Sequence, residues 1–71
     1  MNMSYSFGEK LRILREKKEM TQTQLGNELC MTQRKISYLE RDIYEPSMRD
    51  IYEICCFFGV SADFMLNIPT K

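Results

Sequence analysis

The stretch Thr21-Gln-Thr-Gln-Leu-Gly-Asn-Glu-Leu-Cys30-Met-Thr-Gln-Arg-Lys-Ile-Ser-Tyr-Leu-Glu-Arg41 decides how this chain folds. Thr21 through Gln24 has the form of a capping box, in which hydroxyl and amide satisfy each other's exposed backbone donors. Leu25 and Leu29 follow as i,i+4 partners, which predicts a short helix over 22–29. Thr32 can cap the next helix, about 33–41, with Ile36 and Leu39 as its apolar pair. Only Cys30 to Thr32 separate the two. At ~100° per residue, Ile36, Leu39 and Glu40 share the inner side of the second helix. Arg34, Ser37, Tyr38 and Arg41 cluster on the outer side, and Gln33 projects from the N-terminal end.

The same punctuation continues outward. Ser6-Phe-Gly-Glu9 is another capping box, followed by Phe7, Leu11 and Leu14 at helical spacing, giving a first helix near 6–18. Beyond Arg41, Asp42-Ile-Tyr-Glu-Pro46 reads as a loop, because proline disfavours helical geometry at Glu45. Ser47-Met-Arg-Asp50 opens a fourth helix, about 48–58, with Ile51, Ile54, Cys55 and Phe58 on one face. Gly59 stands where a left-handed residue ends it. Ser61 caps a last short helix through Leu66. No run alternates convincingly at period two. The expected architecture is all-α, five helices in a single domain over 1–71.

Composition narrows the function. Seventy-one residues make one small domain with a thin core, leaving room for a binding surface but little for an enclosed cleft. Histidine is absent, which removes the commonest general base, the commonest metal ligand and every Ser-His or Cys-His pairing. With no Gly-rich phosphate loop and no clustered carboxylates either, an enzyme is not expected, and no cofactor or metal is implied. Three cysteines, two of them adjacent (Cys55, Cys56), form neither a disulfide framework nor a zinc spacing, and imply reduced thiols in the cytoplasm. No secretory signal is visible, and the apolar run Ile54 to Val60 is far short of the ~18–20 residues that span a bilayer. Ten basic and ten acidic residues cancel overall, but residues 1–41 hold eight basic and five acidic, and residues 42–71 two and five. A polyanion can dock on the first half while the second faces away.

Two short amphipathic helices joined by so brief a break form a helix-turn-helix, which presents its second helix to the DNA major groove. The outer face carries an amide, two guanidinium groups and two hydroxyls, which suit base edges and phosphates. A solvated face is the alternative, since most exposed stripes of this kind are no more than that.

The residues also resemble a known family. Leu11-Arg-Ile-Leu-Arg-Glu-Lys-Lys-Glu-Met-Thr-Gln22, then Leu25, Ile36-Ser-Tyr-Leu-Glu40, Glu45-Pro-Ser47 and Phe58-Gly-Val-Ser61 look like the Cro and phage-repressor (XRE-type) helix-turn-helix family. The likeness runs over about 7–66, in order and with near-standard gaps. It implies a sequence-specific regulator of transcription, a repressor by type, that reads double-stranded DNA. Residue by residue, it implies base contacts for Thr32, Gln33, Arg34, Ser37 and Tyr38, and backbone contacts for Thr21, Gln22 and Arg41. Gln22 would also steady the recognition helix, and Arg15 and Glu40 match a buried ion pair. Gly26 stands where the family prefers alanine, and Cys30 and Asp42 where it prefers glycine. Asp42 and Glu45 place acid where backbone-contacting loops usually carry base.

Tyr52, Cys56, Met65 and Ile68 find no place in a thin core and are read as a homodimer patch, which would pair two recognition helices on a pseudo-palindromic operator. The rival reading is a protein-binding module of the same fold, antitoxin-like, with another protein as its main partner.

Overall fold

Every helix begins on a hydroxyl. Ser6, Thr21, Thr32, Ser47 and Ser61 accept from the backbone N–H three residues on, and Glu9, Gln24 and Asp50 return the bond to complete three capping boxes. In the computed structural model, which describes residues 5–68, these caps open α1 (Phe7–Lys17), α2 (Gln22–Leu29), α3 (Gln33–Glu40), α4 (Met48–Phe58) and α5 (Ala62–Leu66). Every helix also ends one or two residues before a left-handed residue. These are Glu19, Cys30, Asp42, Gly59 and Asn67, with φ between 57° and 68°. The helices agree with the sequence pattern to within one residue at each end, the differences falling on Ser6, Lys18 and Arg41, which are caps.

α3 packs on α2 and α1, α5 on α1 and α4, and α2 also touches α4. Leu11, Leu25, Leu29, Ile36, Leu39, Ile54 and Met65 fill the space between them, so every helix contributes to one core. Met65 corrects an expectation. It is fully buried and therefore a core residue, not part of an interface patch. α5 lies across both α1 and α4, and Met65 is the side chain it buries there. Five residues are too few for periodicity to reveal that face.

Two close approaches fix how the helices meet. A Cβ at Gly26 would stand 2.5 Å from the carbonyl oxygen of Met31, so the alanine common at this position has no room unless the α2–α3 turn shifts. A Cβ at Gly8 would collide with the carbonyls of Leu39 and Glu40, which places the start of α1 directly on the end of α3. Asp42 secures that junction. Its carboxylate accepts from the Ser6 hydroxyl at 2.6 Å and from the Gly8 N–H at 2.9 Å. Its charge thus sits at the N-terminal, electropositive end of α1.

Candidate nucleic-acid interface

α2 and α3 are joined by Cys30, Met31 and Thr32. Cys30 turns the chain through φ 57°, the Met31 N–H returns to the Gly26 carbonyl at 2.8 Å, and Thr32 restarts the helix by accepting from Lys35 N–H at 3.0 Å. Ile36 and Leu39 anchor α3 inward, which turns its other side out. Thr32, Gln33, Arg34 and Arg41 are exposed, whereas Ser37 and Tyr38 are half-buried. Arg34 and Arg41 make no ion pair among the described residues, which leaves both charges available to a ligand.

Tyr38 is less free than a helical wheel suggests. Tyr44 meets its ring edge-on at 5.2 Å, and the Arg41 guanidinium lies 5.3 Å from its ring centre. The N–H of Ile43 donates to the Tyr38 carbonyl at 2.9 Å. The loop after α3 is therefore folded back on the outward face and holds Arg41 beside it.

Behind α3 lies a polar cluster. Arg15 donates from Nε to Glu40 Oε2 at 2.5 Å, from Nη2 to Oε1 at 3.1 Å and from Nη1 to the Met20 carbonyl at 2.7 Å. Glu40 is buried, and the Arg15 side chain is 11 % exposed. The hydrogen bond to Glu40 raises the Arg15 pKa above its ordinary value despite the opposing effect of burial, with the charges of Glu40 and Glu16 adding to the rise. Gln22 joins this pair, donating from Nε2 to Glu40 Oε1 at 3.1 Å, while its own Oε1 accepts from Gln33 Nε2 at 2.7 Å. The structure thus brings Arg15, Glu40, Gln22 and Gln33 into one network. Thr21 is exposed at the head of α2, where its hydroxyl is the cap.

Two supports escape a reading of the sequence. Lys35 donates from Nζ to Asp50 Oδ1 at 2.9 Å, tying α3 to the first turn of α4. Burial pushes the Asp50 carboxyl up, but the bonds from Lys35 and Ser47 and the Lys35 charge outweigh it and hold the pKa below 3.8. Asp42, read as an acid near the DNA backbone, is instead bonded to the start of α1. Both contacts join residues far apart in sequence, and no local spacing signals them. The apolar patch divides: Tyr52 (66 %), Cys56 and Ile68 are exposed, whereas Met65 is not.

The helix-turn-helix family matches residues 11–65. No curated protein sequence matches at a significant level. Among solved structures, the P22 c2 repressor in complex with synthetic operator 9T, in the presence of Tl+, superposes with a TM-score of 0.82 and 27 % identity, covering 87 % of this chain and 94 % of that one. The solution structure of the P22 c2 repressor DNA-binding domain gives 0.79 and 28 %, covering 92 % and 84 %. The FeII HppE complex with substrate, at 0.75 and 23 %, covers 90 % of this chain but 37 % of that one, a likeness of fold alone. With the capped five-helix frame, the α2–α3 turn and the matched span in agreement, the chain belongs to the Cro and phage-repressor type of helix-turn-helix family, a family of DNA-binding regulators and not an enzyme class.

Proposed function

We propose that this protein is a sequence-specific transcriptional repressor that lays α3 in the major groove of an operator. The observation that carries this reading is the outward row of α3, where Gln33, Arg34 and Arg41 are exposed beside a rigidly built turn. Thr32, Gln33, Arg34, Ser37 and Tyr38 face the bases, Arg34 being suited to guanine and Gln33 to adenine. Thr21, Gln22 and Arg41 meet phosphates, which position the protein without selecting sequence. The operator complex of the similar P22 c2 repressor supports this role. The protein works in the cytoplasm, where its cysteines stay reduced. It acts as a homodimer through Tyr52, Cys56 and Ile68 and reads a pseudo-palindrome with half-sites about one turn, ~34 Å, apart. Selection of bound sequences from a random duplex pool tests this directly. A two-fold motif is the expected result, and the absence of any enriched motif refutes it.

A second reading draws on the exposed side chains of α4, Met48 at 87 % and Tyr52 at 66 %. On this reading the same fold serves as a protein-binding module, antitoxin-like, and α4 holds another protein. A stable one-to-one complex recovered from the host, with no selected DNA motif, is the result that favours it.

A further inference from the structure

The side chains behind α3 form a run of hydrogen bonds whose directions are all forced by one residue. Glu40 is 7 % exposed and, as a carboxylate, can only accept. Arg15 donates to both of its oxygens. Oε1 also faces Gln22, which must therefore turn its amide nitrogen inward, and Nε2 donates there at 3.1 Å. With its nitrogen turned to Glu40, the Gln22 amide points its carbonyl oxygen at Gln33, the first residue of α3, and keeps one N–H of its own to spare. Gln33 meets it with Nε2 at 2.7 Å. What remains on the outer side of the Gln33 amide is one N–H and one carbonyl oxygen, in a set order.

We infer that Glu40 is a positioning residue for base choice: acting through Gln22, it fixes the donor–acceptor order that Gln33 presents to the groove. This rests on α3 reading bases as proposed above. An N–H beside an oxygen matches the N7 acceptor and N6 donor of adenine, and not the two acceptors of guanine. Were the Gln22 amide turned over, Gln33 would have to accept with its oxygen, and both of its N–H groups would face outward, as guanine requires. A buried group that only accepts removes that second arrangement. Arg15, which only donates, holds the acceptor in place.

The test selects sites from a random duplex pool with the unmodified protein, and with Gln33→Ala to mark the base pair that Gln33 reads. In Glu40→Gln the new amide can face Gln22 with either atom. The preference for adenine over guanine at that pair should fall by on the order of tenfold, while the other positions of the motif keep theirs. Adding Gln22→Glu to Glu40→Gln puts an acceptor-only group beside Gln33 again. The preference should return, even though a carboxylate near the phosphates lowers overall affinity. A merely structural Glu40 would weaken every position alike and show no such return. Gln22→Leu interrupts the run but leaves Arg15 and Glu40 paired, and should relax the same single position even where Glu40→Gln does not fold. Unchanged preference in folded Glu40→Gln or in Gln22→Leu overturns the role of Glu40 and leaves DNA reading intact. If the unmodified protein selects no motif, both fall together.

Discussion

Cys30 holds φ 57° without being a glycine, in the turn that aims α3. A non-glycine residue in this region is strained by ~1–2 kcal/mol, and glycine in its place gives back part of that through chain entropy, ~0.5–1 kcal/mol. Cys30→Gly should therefore stabilise the fold by about 0.5–1 kcal/mol, or roughly 2–8 °C in Tm by calorimetry. Arg15 and Arg34 separate structure from recognition. Arg15→Ala leaves Glu40 buried without its cation and should cost about 3–5 kcal/mol, read as a large drop in Tm. Arg34→Ala should leave Tm nearly unchanged and weaken specific binding by ~1–3 kcal/mol, read by titration with operator DNA. The reverse pattern would mean that the two faces of α3 have been assigned the wrong way round. At this scale the sequence was partly legible. Arg15, Gln22 and Glu40 were found by resemblance and caps by spacing, but the direction of each amide bond depends on atoms that only the fold brings together.

Helix starts were the most legible feature, because each is written in a hydroxyl cap, three of them answered three residues on, as Ser6 is by Glu9 and Ser47 by Asp50. What joins one element to another was not. Lys35 and Asp50 lie on different helices, and only packing of α4 beside the α2–α3 unit puts them 2.9 Å apart. Likewise, Met65 gave no sign of burial because α5 is one turn and a half long. The Asp50 contact makes a pH prediction. Its folded pKa lies below 3.8, so the unfolded chain takes up the proton first. The stability from this contact is complete above that value and is lost as pH falls through the folded pKa. Asp50→Asn should melt below the unmodified protein at pH 7, and the gap should narrow as the pH is lowered below 3.8. A gap that is constant with pH would show that the ionised carboxylate contributes nothing.

For the whole molecule, zero net charge conceals a basic N-terminal half and an acidic C-terminal half. On the proposed binding mode, in which phosphates meet the basic half and their counterions are released, binding should still fall steeply with salt. A log K that stays flat against log salt would exclude a phosphate-dominated contact. The fold itself was legible almost whole, because five helices with marked ends leave few ways to bury one set of apolar faces. The left-handed stops have a further bearing on time. When both ends of every helix are set within a turn of sequence, the search that limits folding is only the docking of preformed pieces. α2 and α3 are neighbours along the chain and meet soonest, whereas α5 must come back across the whole length to reach α1. Stopped-flow kinetics should then show Ile36→Val slowing refolding, and Met65→Ala chiefly hastening unfolding. The α2–α3 unit would assemble early, and the last short helix would close the structure behind it.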